Sequence, residues 1–479
     1  MMKRTTVVAL SLCVLVGTIW GVGLQARADD LAQAFVRPPD SARPWVYWFW
    51  LDGNITREGI TADLEAMRRV GIGGVLIMEV AQGIPKGPAR FFSPQWRDLF
   101  KHMISEAARL GIEVNMNNDA GWCGSGGPWN TPDHAMQKVT WSETRLEGPR
   151  KFEGVLPQPP TVEKFYRDIA VLAFPTPEGD EVKMSASSPK VTASQTLGNS
   201  QKVNLLIDGN PATFCDLPNP EPGKPQYIQL EFPQPFAARS LTIAIPAHSH
   251  RYQGQLQVSD DGLTFKTLRP FAASWPDSSF NFDKISARYY RILFTVGDSR
   301  SDRLRIGEVE VGLKYRLENY RGKAGLIRQQ FPARAPELAL PPELLIGRDR
   351  IVDLTARMDK DGRLAWDVPQ GNWTVLRLGH TPTGANNAPS PDEGRGLECD
   401  KFSREATDTH FAGFMGQLIS DVGPAAGKAL ACTHIDSWEV GSQNWTPKFR
   451  EEFQRRRGYD PLPYLPAMAG QVVENVEVS

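Results

Sequence analysis

Cysteine is scarce: five residues in 479, one of which, Cys13, sits inside an apolar N-terminal stretch. The other four, Cys123, Cys215, Cys399 and Cys432, are widely spaced and form no CxxC pair. That spacing argues against zinc, and it leaves one bridge and buried free thiols equally open. An excess of charge of either sign is also missing. With 54 Lys and Arg against 55 Asp and Glu the net charge is -1, and no basic face or tail stands out. Nucleic acid and anionic membranes are therefore not expected partners. No EF-hand loop or other compact calcium motif appears anywhere.

What the chain does have is tryptophan, 13 in all, crowded at Trp45, Trp48 and Trp50, at Trp122 and Trp129, and at Trp438 and Trp445. Indole offers an apolar platform to the C–H face of a sugar ring, and equally fills a core with a large side chain that has a polar tip. At the N-terminus, Lys3 and Arg4 precede a largely apolar stretch, 5–24, and Ala26-Arg27-Ala28 supplies small residues for cleavage before Asp29. Residues 1–28 therefore read as a signal peptide and the mature protein as exported, periplasmic or extracellular. Leu12 stands before Cys13 where a lipoprotein signal needs a small residue, so no lipid anchor and no membrane insertion after cleavage are expected.

At 479 residues the chain is too long for one typical core, so two or three domains are expected. Residues 45–119 alternate strand and helix. An aromatic run at 46–50 precedes a helix capped by Thr56, with Ile60, Leu64, Met67 and Val70 at helical spacing. An apolar strand follows at 75–80, a helix opened by Pro94, and a third strand at 113–118. From 185 to 313 only short strand-like runs and turn signals appear, such as Asp208-Gly209-Asn210, which is the mark of an all-β sandwich. Its phrases NLLIDGN, YIQLEF, QLQVS and ARYYRILF resemble a discoidin-like, galactose-binding-like sandwich. More β signals follow from 340, including 373–378. A helix at 402–419, a strand at 430–436 and a helix beginning near Thr446-Pro447 then restore the α/β rhythm. The fold class reads as α/β plus β, an incomplete (β/α)8-type barrel interrupted by an inserted β-sandwich. Five strands of barrel type can be placed where eight are needed. The boundaries are 1–28 for the signal peptide, 35–175 for the first part of the barrel with a β extension, 185–315 for the sandwich, and 320–479 for the second, incomplete part.

In such barrels chemistry gathers at the C-terminal ends of the strands. Those ends carry Trp48, then Glu79, then Asn118 and Asp119 with Trp122, then Glu398 and Asp400, then His434, Asp436, Trp438 and Glu439. Polar edges, an apolar platform and carboxylates are what a sugar pocket requires. Each also has a plainer reading. Glu79 is equally a rim charge or a partner of Lys86, Asn118 a strand-end cap, His434 a satisfied core histidine and Asp436 a turn former.

The blocks RPPDSARPWVYWFW (37–50), LEAMRRVGIGGVLIME (64–79), VNMNNDAGWCGSGG (114–127), GLECDKFS (396–403) and DSWEVGSQNWTPKFREEFQRRRGYD (436–460) resemble glycoside hydrolase family 106, the α-L-rhamnosidases. The resemblance implies inverting hydrolysis of rhamnosidic bonds in plant or bacterial oligo- or polysaccharides, two catalytic glutamates, and a calcium ion near the sugar. An inverting enzyme needs a general acid and a second carboxylate that activates water, roughly 6.5–9.5 Å away. By resemblance the acid falls on Glu439, with Trp438 beside it to desolvate it and raise its pKa. The base is expected on a later strand, beyond Ser479, so no residue here is assigned to it; the chain reads as truncated, and whether it is active by itself stays open. Two alternatives stay open: a non-catalytic carbohydrate-binding protein, or a glycosidase of related sugar specificity.

Overall fold

The computed structural model describes residues 31–198, 200–246, 250–327 and 340–479; the expected signal peptide lies outside the described residues. In chain order the strands are β1 (Trp45–Leu51), β2 (Gly74–Val80), β3 (Glu113–Asn117), β4 (Gln137–Val155), β5 (Arg167–Pro175), β6 (Lys190–Ala193), β7 (Cys215–Pro218), β8 (Gln226–Ala244), β9 (Arg251–Ser259), β10 (Lys266–Ser274), β11 (Asp277–Val296), β12 (Arg303–Ile306), β13 (Glu308–Gly312), β14 (Val352–Asp353), β15 (Arg363–Pro382) and β16 (Leu430–His434). The helices used below are α1 (Arg57–Arg69), α2 (Pro94–Leu110), α3 (Arg404–Gly413), α4 (Met415–Val422) and α5 (Phe449–Arg457). Two compact units result: Met1–Met136 with Gly384–Val440, and Gln137–Thr383 with Gly441–Ser479.

Local sequence accounts for the first unit. Thr56 caps α1 by accepting the Gly59 N–H at 3.0 Å, and α1 buries Ile60 and Leu64. Ser93 caps α2, Pro94 opens it, and Gly111 ends it in the left-handed conformation that glycine adopts at least cost. The strands form one parallel sheet in the order β1-β2-β3-β16. One face of that sheet packs on the helices around Trp50, Leu64, Ile77, Trp96, Phe100 and Met116. The sheet holds four strands rather than five and is not closed. The 373–378 run lies in β15, which pairs antiparallel with β4 and β5 and takes no part in the parallel sheet.

The second unit is β throughout its centre. A four-stranded antiparallel sheet runs β14-β5-β15-β4. Trp445, Leu462 and Leu465 from the C-terminal segment bury against its Leu376 and Leu378. The first compact unit thus takes the chain to Met136, while the β extension expected up to 175 and residues 441–479 fall in the second. The 190–312 stretch supplies a larger sheet, β10-β9-β11-β8-β13 with β6 on β8, and a two-stranded sheet, β12-β7. Both sheets contribute to one core containing Leu217, Phe232, Tyr252, Tyr290, Phe294 and Leu304. The Tyr290 hydroxyl, buried there, donates to the Phe236 carbonyl at 2.7 Å. No helix among the described residues is long and apolar enough to cross a membrane. Cys123, Cys215 and Cys399 are buried free thiols and Cys432 is an exposed one.

Candidate active site

The site is built in the first unit, on loops that leave the C-terminal ends of β3 and β16. Asn117, the last residue of β3, fixes the first loop. Its Nδ2 donates to Asp119 Oδ1 at 3.0 Å and to the Gly121 carbonyl at 2.8 Å. The loop then passes close to residues 384–400. A Cβ on Gly126, at φ +148°, would stand 2.5 Å from the Asn387 Cβ, so only glycine fits there.

Two carboxyl groups lie buried behind this loop. Asp119 and Glu398 are both fully buried. Glu398 Oε2 accepts the Ser125 hydroxyl at 2.8 Å and pairs with Lys401 Nζ at 2.7 Å. Burial, reinforced by the nearby Glu398 charge and by Asp436, holds the Asp119 carboxyl well above the usual carboxylate range, against the opposing pull of Lys401 and Asn117. Lys401 also faces the Trp438 ring, its Nζ 5.0 Å from the centroid. Asp119, Glu398, Lys401, Asp436 and Trp438 thus form one electrostatic group.

His434 ends β16 with its Nε2 buried and without a hydrogen-bond partner, 3.9 Å from Asp436 Oδ2. Asp436 Oδ1 accepts the Ser437 N–H at 2.7 Å and the Ser437 hydroxyl at 3.1 Å, and the chain runs on without a turn there. Asn118 presents its carbonyl to His410 Nε2 at 3.0 Å, and Trp129 Nε1 donates to His410 Nδ1 at 2.8 Å. Those partners require the Nε2–H tautomer, and burial pushes the His410 pKa down to about 4. Asp400 accepts the Phe402 N–H at 2.9 Å and leads the loop into α3, whose cap is Ser403. The Trp122 ring meets Phe49 edge-on at 6.4 Å.

Two expected site residues point elsewhere. Trp48 packs with the helix-side core and edge-on to Trp50. Glu79 is fully buried on that same side, where Oε2 accepts Trp96 Nε1 at 3.0 Å and Oε1 accepts the Gly53 N–H at 3.1 Å. Its pKa is pushed up to about 8 by burial, while Lys86 pairs with Asp392 instead. The alternation of β1 turns Tyr47 and Phe49 to the opposite face from Trp48 and Trp50. Glu439 stands exposed on the loop after β16, and Trp438 is 48% exposed, so the expected desolvation of Glu439 by its neighbour is not seen. Ser125 and His410 went unnoticed in the sequence. For Lys401 the signal was its place three residues after Glu398.

Oxygens suited to a hard cation are present. Asn117 Oδ1, Asp119 Oδ2 and Glu398 Oε1 are buried without hydrogen-bond partners. No group of three or more His, Cys, Asp or Glu side chains placed to hold a metal ion by themselves is found among the described residues. These residues therefore supply part of the shell of about six to eight oxygens that calcium takes, and no more.

Comparison with known proteins adds three findings. The profile of glycoside hydrolase family 106, described as alpha-L-rhamnosidase, matches residues 36–479. A protein of Formosa agariphila named putative beta-glucuronidase is 31% identical over all 479 residues, which cover 30% of its length. The structure of a rhamnosidase from Novosphingobium sp. PP1Y is 32% identical, with a TM-score of 0.79, and the match covers 93% of this chain and 43% of that one. The chain thus spans less than half the length of either relative.

Proposed function

The chain belongs to glycoside hydrolase family 106, and from that membership and the site above we propose that it acts as an exported α-L-rhamnosidase that inverts the anomeric centre of rhamnose-containing glycans. The observation that carries the reading is the gathering of Asp119, Glu398, Lys401, Asp436 and Trp438 beside the loop that bears Glu439. Glu439 serves as the general acid, giving its proton to the leaving glycosidic oxygen. Trp122, Phe49 and Tyr47 offer apolar faces to the sugar. Asn117, Asp119 and Glu398 would hold calcium, which when bound would neutralise the buried carboxylates and orient sugar hydroxyls. Residues 185–315 act as a discoidin-like carbohydrate-binding module, and export rests on the 1–28 pattern.

Turnover of an aryl α-L-rhamnoside by the complete protein tests the assignment. Glu439→Gln is expected to lower kcat by about 10²–10⁴-fold, and a variant as fast as the parent removes Glu439 from the acid role. Proton NMR of the first-formed sugar reads inversion directly. Calcium added after chelation is expected to raise Tm, and an unchanged Tm in Asp119→Asn confirms the ligand. A second reading, release of a uronic acid on the same framework, is favoured by the name of the Formosa agariphila relative. Release of glucuronate and no rhamnose from paired aryl glycosides would select it.

A further inference from the structure

A cavity of about 640 Å³ opens in the second unit between β9, β10, β11 and the segment after β13. Its interior charge is already fixed. Arg269 Nη1 donates to Glu318 Oε1 at 2.6 Å, and the same oxygen accepts the Asn281 N–H at 2.7 Å. The Arg269 guanidinium lies 5.5 Å over the buried Phe280 ring. Glu318 is thereby committed to groups of the wall.

Arg251 and Lys323 also line the cavity, and both are exposed. Neither side chain has an ion pair or hydrogen bond among the described residues. The amides of Gln253 and Asn319, on the same lining, are likewise unengaged. Among the described residues, three cations against one carboxylate line the cavity, an excess of positive charge. A planar carboxylate suits an arginine fork, amides suit hydroxyls, and the volume is that of a small-ligand pocket.

We propose that this cavity binds the uronate-bearing part of an acidic oligosaccharide, with Arg251 and Lys323 on the carboxylate and Gln253 and Asn319 on neighbouring hydroxyls. The saccharide class rests on the glycosidase reading; the demand for an anion rests on the cavity alone. Calorimetry of the full chain, carrying Glu439→Gln to prevent hydrolysis, would use tetragalacturonate as probe and maltotetraose as the neutral comparator. Tetragalacturonate is expected to bind, maltotetraose is not, and Arg251→Gln with Lys323→Gln is expected to weaken binding at least tenfold. Lys183→Gln with Lys190→Gln removes the same charge elsewhere and is expected to leave binding unchanged. Equal binding of the two probes, equal loss in the two double variants, unchanged binding in the cavity variant, or no binding by the folded protein would each overturn the proposal. Aryl rhamnoside turnover by the complete protein, measured in parallel, separates the two readings. It is expected to be unaffected by the cavity substitutions, and its absence alongside intact tetragalacturonate binding counts against the rhamnosidase reading only.

Discussion

Glu79 shows how much turns on the direction of a single side chain. On a strand buried on both faces, the apolar run 75–80 does not reveal which face a terminal carboxyl will choose. The register does, because Glu79 lies beside Trp50 and shares its helix-side face. A raised acid pKa means that stability is fully present below the unfolded value, near 4.5, and is lost as pH rises through about 8. Thermal melts between pH 5 and 9 are therefore expected to fall more steeply for the parent than for Glu79→Gln, and parallel slopes would place the titration elsewhere. Lys401→Met, which leaves Glu398 buried and uncompensated, is expected to cost about 3–5 kcal/mol in chemical denaturation. The same change in a Glu398→Gln background should cost far less. At this scale Asp119, Glu398 and Asp436 were legible as a polar rim, because strand ends in α/β folds collect such groups. The exposure of Glu439 was not, since a motif gives spacing and no burial.

Elements were the best-read level of the chain. The cap at Thr56, the helical spacing of Ile60 and Leu64 and the proline at the start of α2 are local signals, and the structure uses each of them. Their weights differ. Thr56→Ala removes one cap hydrogen bond and is expected to cost about 1 kcal/mol. Leu64→Ala, at a fully buried position, is expected to cost about 2–5 kcal/mol. Denaturant midpoints in that order would confirm that α1 is held by packing more than by its end. The pairing of β15 with β4 and β5 was not legible. Strands in it are matched across more than two hundred residues, from Arg363 with Val155 to Pro382 with Gln137, and alternation alone names no partner. That unseen pairing is what places the β extension in the second compact unit, after Met136.

At the scale of the whole chain, which spans less than half the length of its relatives, the parallel sheet has four strands among the described residues. Parallel strands are normally covered on both faces. Here Trp45, Tyr47 and Phe49 of β1 are 40%, 57% and 45% exposed. A row of exposed aromatics on one strand is an apolar face that a sugar ring or a second copy of the chain can cover. Tyr47→Thr with Phe49→Thr is expected to lower dye binding and concentration-dependent association of the chain in sedimentation runs, with little change in Tm. Equal association by parent and variant would show that this face stays apart from other molecules.

The order of the chain also sets the order in which it folds. The Thr433 hydroxyl donates to the Met116 carbonyl across 317 residues, so the first unit is completed only when its last strand returns. Closing so long a loop slows the search, though its entropy grows only with the logarithm of length. The β4–β15 ladder shortens that search, because it pairs Gln137 with Pro382 and brings the two ends of the intervening chain together. During synthesis, β1 to β3 emerge first and must wait with the edge of β3 unpaired until β16 follows. The β4–β15 ladder, both of whose strands have emerged before β16, pairs in the meantime and holds together the ends of the long intervening chain.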